Sequence, residues 1–347
     1  MVATAQDLKT AGIDVPVLVG GAALSDRFTR SRIAPAHGGL VVYCSDAMKG
    51  LDAMNRLMDP GKRDGLMRDS IATPQPEPAT PAQDSADVPA VRSSQVSLQV
   101  EPIAVPFGDR RIEPRLGDLR PVWDLINPQM LFGKHLGLRG SFAKKIAAGE
   151  GKAISLQQHV EKLQNEARDW MRVGVVWRFF DAASDGNSLS LFEPGGTDPL
   201  HTFVFPRQQR ADGLCLADYV LPARDGVRDS VALFVVGAGE EVRERAELAK
   251  SNGEYLRSHA LQALALETAE AAAEWLHRRI RTDWGIPDPQ DLTPLDLFKA
   301  RYRGKRFSPG YPACPDLDDQ AAIFKLLEPA DIGVELTGGM MMDPEAS

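Results

Sequence analysis

The chain has 347 residues, 43% of them hydrophobic, with 40 Lys and Arg against 48 Asp and Glu and a formal net charge of -8. That is enough apolar material for a large core and for more than one folded unit. The acidic balance, without any basic block, excludes a nucleic-acid partner, and no apolar run approaches the roughly 20 residues that span a bilayer. Cys44, Cys215 and Cys314 are odd in number and far apart, which fits a reducing, cytoplasmic setting and not a disulfide framework. None has the spacing of a zinc ligand set.

In chain order, residues 1–58 read as α/β. A helix from Ala3 to Ala11 leads to a short strand from Val15 to Val19. A Gly-Gly turn then opens a helix from Asp26 to Ile33, followed by a strand from Leu40 to Cys44 and a helix from Ala47 to Leu57. Strand–helix–strand at this spacing predicts parallel strands, and two strands make an incomplete sheet. Residues 59–102 are rich in Pro, Gly, Ser, Asp and Ala, the composition of a semi-extended linker between domains.

From 103 to 347 the chain is globular again. A helix is predicted over Ile154–Arg172, then strands over Val173–Phe180, Ser188–Phe192, His201–Phe205 and Ser230–Val236. A helical block from Glu240 to Arg281 follows, broken near Asn252-Gly253. Strands joined by short turns and then long helices predict an α+β fold with an antiparallel sheet. Gly237-Ala238-Gly239 imitates a dinucleotide loop, but Val242 stands where the third glycine belongs, so it reads as a plain strand-to-helix turn. Glu267, Glu270 and Glu274 share one helical face, read as a solvated face with Arg278 one turn beyond Glu274.

The stretch from Arg306 to Pro315 carries the most chemistry. Its prolines deny it helix and strand, so an extended loop is expected, with backbone groups free for a ligand and Gly310 allowing close approach. Arg306 is a permanent cation suited to a carboxylate, and Tyr311 offers a flat face. A surface turn that packs one aromatic is the bland alternative.

Arg-x-x-x-Gly-Tyr-Pro-Ala-Cys-Pro, from Arg306 to Pro315, resembles the hallmark of the S-adenosylmethionine-binding reactivation domain of cobalamin-dependent methionine synthases. Leu216-Ala217-Asp218-Tyr219-Val220, Ala273-Glu274-Trp275-Leu276-His277 and Trp284-Gly285 resemble the same domain in the same order. Val15 to Ser25 resembles the last βα unit of that family's Rossmann-like cobalamin domain. The resemblance implies S-adenosylmethionine contacts from Arg306, Ser308, Gly310, Tyr311, Glu270 and Asn127. For Asn127 a helix cap explains the residue equally well. It also implies that Gly20, Gly21, Ala22, Asp46 and Ala47 border cobalamin, a tight turn being the alternative for the glycines.

No histidine here lies in the family's cobalt-binding Asp-x-His-x-x-Gly pattern, which is expected upstream. The homocysteine and folate domains, with their zinc, are expected further upstream, on this chain's missing part or on another chain. A flavodoxin-type electron donor is the implied partner. The expected domains are thus a partial cobalamin unit (1–58), a linker (59–102) and a reactivation domain (103–347) short of its extreme C-terminus, with Met340-Met341-Met342 as a cut edge. The implied function is reductive remethylation of cobalamin with S-adenosylmethionine in a methyltransferase, this chain alone being incompetent. The alternative is a non-catalytic cofactor-binding or interaction module, or a remnant of a split synthase.

Overall fold

The computed structural model describes residues 1–20, 24, 26–44, 47–59, 61–63, 65–66, 91–97, 102–208, 210–223 and 227–347. They form two compact units, Met1–Val91 with Ser308–Leu317, and Arg92–Phe307 with Asp318–Ser347.

In the first unit, helix α1 (Val2–Thr10) precedes strand β1 (Val17–Gly20). Next come α2 (Asp26–Phe28), a π-helical turn (Thr29–Ile33) and α3 (Ala34–His37), then β2 (Val41–Cys44) and α4 (Ala47–Met58). The helix expected to stop at Ile33 continues to His37. Pro35 has no N–H to give, and the wider π turn before it accommodates the missing bond. Strands β1 and β2 are parallel, from Val17 opposite Val41 to Gly20 opposite Cys44, and Ala5, Val19, Ile33 and Val41 are buried together.

Most of the expected 59–102 linker lies outside the described residues, but Arg92 to Ser94 are seated on the second unit. Ser93 is 2% exposed, Ser94 N–H donates to Asp212 Oδ1 at 2.7 Å, and Arg92 Nη2 donates to Ser184 Oγ at 2.8 Å. The second unit therefore starts at Arg92, earlier than composition indicates.

Its sheet has β4 (Gly174–Asp185) as the spine. Strand β7 (Asp229–Gly237) runs antiparallel along one edge, from Gly174 opposite Gly237 to Ala182 opposite Asp229. The other edge is shared by β3 (Arg111–Glu113) near one end and β5 (Ser188–Phe192) near the other, with β6 (Pro199–Val204) outside β5. Along β4, Val175, Trp177 and Phe179 face the main helical core, whereas Val176, Phe180 and Ala182 face the opposite layer. Burial on both faces explains the continuous apolar run. The strand also outlasts its expected end at Phe180. Ala183 and Ser184 are 4% and 3% exposed, and the Ser184 hydroxyl donates to Val220 O at 2.8 Å, so polarity there does not signal solvent.

Helices α5 (Gly151–Ala167), α6 (Val242–Ser251) and α7 (Tyr255–Asp283) supply the main helical layer. The expected break between α6 and α7 falls at Gly253, whose φ of +79° suits only glycine comfortably. After α8 (Asp319–Leu327), β8 (Glu335–Leu336) and β9 (Met342–Asp343) form a hairpin.

This hairpin corrects the reading of Met340 to Met342 as a cut edge. Met340 O accepts a hydrogen bond from Gln320 Nε2 at 2.7 Å, and Met342 packs on the cluster of Val176, Val235, Leu327 and Val334. Beyond it, Ala346 is buried in the main core and its carbonyl accepts from Ala238 N–H at 2.8 Å. The Gly-Ala-Gly turn is therefore a packing device. A Cβ at Gly237 would lie 2.5 Å from Val334 Cγ2, and one at Gly239 2.8 Å from Pro344 Cβ. Val334 is 1% exposed and cannot step aside. Gly237→Ala is expected to destabilise the chain by about 1–3 kcal/mol in denaturant unfolding, as overpacking does.

Candidate functional site

The long helix α7 carries the site. Its acidic stripe is not the solvated face that spacing indicates. Glu267 is 5% exposed and its Oε1 meets His135 Nε2 at 3.0 Å. Burial pushes the Glu267 carboxyl up, and His135 opposes the rise. Glu274 is 7% exposed; its partners are Arg281 two turns along the same helix and Tyr302 and Arg306 beyond it, with Arg278 engaging Asp288 instead at 3.7 Å. Glu270 alone is exposed.

Around Glu274 two guanidiniums converge. Its Oε2 accepts from Arg306 Nη1 and, at 3.2 Å, from the Tyr302 hydroxyl; its Oε1 accepts from Arg281 Nη2 at 3.3 Å. Arg281, 0% exposed, is pinned through Nε and Nη2 by both Asp288 oxygens at 2.7 Å. Its guanidinium carbon stands 3.8 Å from the centroid of the Tyr302 ring. Two carboxylates thus balance two cations in a desolvated cluster, the condition under which buried charge is tolerated.

His277 completes the wall. Its Nδ1 lies 3.4 Å from Arg306 Nη1, and its ring meets Tyr302 edge-on with centroids 5.3 Å apart. Burial, helped by the Arg281 and Arg306 charges, lowers its pKa to about 3. His277 therefore stays neutral where an ordinary histidine, with a pKa of about 6.5, begins to protonate. Its NMR ring signals are expected to remain those of a neutral imidazole from about pH 8 to 5. The unfolded chain takes up this proton and the folded chain does not, so stability contributed here is complete above about pH 6.5 and declines as pH falls below it.

The loop residues behave differently from the expectation. Ser308 to Cys314 is a closed double turn instead of an extended loop. Gly310 N–H donates to Cys314 O at 2.8 Å and Cys314 N–H to Tyr311 O at 2.9 Å, with Gly310 at a φ of +94°. These backbone donors are spent inside the loop. Ser308 is exposed and its carbonyl accepts from the Cys314 thiol at 2.8 Å, while the Tyr311 ring is 60% exposed. Asn127 acts as the cap that one of its readings anticipates. Its Oδ1 accepts from Gln129 N–H at 3.0 Å at the start of the π-helical segment Gln129–His135.

Of the residues expected near cobalamin, Gly21, Ala22 and Asp46 lie outside the described residues, and Ala47 begins α4. Gly20 is accounted for by strand pairing, because a Cβ there would fall 1.9 Å from Cys44 O.

Residues 118–347, which contain the whole Arg306–Glu274 cluster, match the family described as vitamin B12 dependent methionine synthase, activation domain. The chain belongs to this family. Among relatives of the activation domain and its flanking sequence, it is 32% identical to a methionine synthase of Mycobacterium tuberculosis, with 99% of this chain aligned to 32% of that protein. A methionine synthase of Mycobacterium leprae is 29% identical, over 99% of this chain and 31% of that protein. The chain thus spans about a third of the length of these relatives. The crystal structure of the MetH reactivation domain bound to AdoHcy superposes with a TM-score of 0.66, at 24% identity, covering 72% of this chain and 81% of that one. This likeness bears out the α+β, antiparallel-sheet expectation.

Within this activation domain, sequence reasoning picked out Arg306 but missed Glu274, Tyr302, Arg281, Asp288 and His277 as its surroundings. One signal was available: Glu274, His277 and Arg281 recur at i, i+3 and i+7, a single face of α7.

Proposed function

We propose that this chain serves the reductive remethylation of cobalamin in a methionine synthase, with Arg306 gripping the carboxylate of S-adenosylmethionine. The observation that carries the reading is the state of the Arg306 guanidinium. Its Nη1 is committed to Glu274, while Nε and Nη2 have no hydrogen-bond partner among the described residues and the side chain is 28% exposed. An Nε/Nη2 edge is one of the two forks by which Arg takes a carboxylate bidentately. Glu270, exposed one turn before Glu274 on the same face, suits the ligand's ammonium.

When bound, S-adenosylmethionine supplies a sulfonium methyl group. The residues of this chain bind and orient; no general base is required of them, and their contribution is placement. Cobalamin as methyl acceptor, a flavodoxin-type electron donor and the homocysteine and folate domains belong to the same reading, and so does a cytoplasmic setting. No helix among the described residues is long and apolar enough to cross a membrane. Titration calorimetry of the chain with S-adenosylmethionine tests the proposal. One saturable site is expected; absence of heat and of any spectroscopic change at millimolar ligand rejects it.

A further inference from the structure

The segment from Tyr302 to Phe307, which carries Arg306, has no backbone-to-backbone hydrogen bond among the described residues. Its side chains hold it. Tyr302 donates to Glu274 and lies against Arg281, and Arg306 reaches the same Glu274. Glu274 is a rigid anchor by contrast. It sits on a helix of 29 residues, is 7% exposed, and its second oxygen is tied through Arg281 to Asp288. Arg306 Nη1 also faces the Tyr302 hydroxyl at 3.3 Å and His277 Nδ1 at 3.4 Å, so every polar neighbour of the guanidinium is gathered at one nitrogen.

That asymmetry is informative. A guanidinium can meet a carboxylate by its Nε/Nη2 edge or its Nη1/Nη2 edge, and free rotation would offer both. Here the second edge is blocked by a buried anion, and only the first is left for a ligand.

We infer that Glu274 is the positioning residue that fixes which edge of Arg306 meets the ligand, and that it thereby carries the site's preference for ligands bearing an α-carboxylate. The inference rests on the reading of Arg306 proposed above. Glu274 touches no ligand in this account; it acts through Arg306.

Decarboxylated S-adenosylmethionine, which keeps the nucleoside, sulfonium and amine, is the discriminating probe. Calorimetry on the chain is expected to show at least a tenfold preference for S-adenosylmethionine over this probe, and R306A is expected to abolish it. In E274Q the preference should fall to within about threefold, while affinity for the decarboxylated probe stays within about twofold of wild type. The double variant should bind both ligands as R306A does, because Glu274 acts only through Arg306; a further change on adding E274Q would overturn the inference. Loss of one carboxylate leaves Arg281 still pinned by Asp288, and Y302F, which removes one hydrogen bond to Glu274, provides a milder variant with an intermediate preference.

If E274Q keeps the full preference, or weakens both ligands equally as a purely structural residue would, the inference is overturned while the Arg306 reading stands. A wild-type chain that binds both ligands alike overturns the Arg306 reading and this inference with it.

Discussion

Arg306→Ala is expected to weaken S-adenosylmethionine binding at least tenfold. Truncating one partner of a desolvated, hydrogen-bonded charge pair costs about 2–5 kcal/mol, and with a side chain 28% exposed the lower part of that range applies. The fold should survive, because Glu274 keeps Arg281 and Tyr302 as partners when Arg306 is gone. Circular dichroism and a denaturant midpoint measured beside the calorimetry will separate loss of grip from loss of structure. Arg306→Lys should recover only part of the affinity, since an ammonium on a flexible stem supplies charge without the planar fork. Unchanged affinity in Arg306→Ala would reject the carboxylate role.

Asp218→Ala is expected to be strongly destabilising, by about 3–5 kcal/mol, because it removes the fully buried carboxylate of a largely desolvated, hydrogen-bonded charge pair. Asp218 is 1% exposed and accepts from Arg207 Nη1 at 2.7 Å and Nη2 at 2.8 Å, from Cys215 N–H at 3.0 Å and from Ser93 N–H at 3.4 Å. Asn at this position should rescue little, since its amide would turn one donor toward these donors. Burial alone would raise the Asp218 pKa, but the hydrogen bonds from Arg207 and the backbone outweigh it and hold the carboxyl below its ordinary value. The stabilisation is therefore complete above the unfolded carboxylate pKa of about 3.9, and it is lost as pH falls through the lower folded value. A chemical-denaturation series from pH 7 to 3 should show the difference between wild type and variant shrinking with acid. A constant gap across that range would contradict the charge argument.

How much of this was readable beforehand follows the range of the interactions. The run Val173–Phe180, the strand Ser188–Phe192 and the α6–α7 break were visible because periodicity and a single Gly253 act locally. Strand β3 was not visible. Three residues carry no period, and Arg111 to Glu113 is a strand only because β4 offers it a free edge. The same contrast governs the site. Arg306 stood out by its neighbours in sequence, whereas Glu267 and Glu274 were misread as solvated because His135 and Arg306, which neutralise them, come from other parts of the chain. The prolines of the 306–315 loop announced the lack of helix and strand correctly. They did not announce closure, which depends on Gly310 at positive φ and the bridge between Tyr311 and Cys314. Asp218 was picked out as one letter of a familiar pentapeptide, and the structure supplies its physical reason as the acceptor at the centre of four donors.

The hydrogen bond from Ala238 to Ala346 has a kinetic consequence. It closes the β7–α6 turn with a residue far away in sequence, and the buried Ala346 belongs to the same cluster as Trp177 and Phe179 of the sheet spine. During synthesis β4 and β7 can pair once Gly237 has emerged, but that cluster stays open on one side until residues 343–347 have left the ribosome. High contact order of this kind slows completion of the cluster and leaves an apolar surface exposed to solvent while it waits. The nascent second unit is thus vulnerable until residues 343–347 are laid against Gly237 and Gly239.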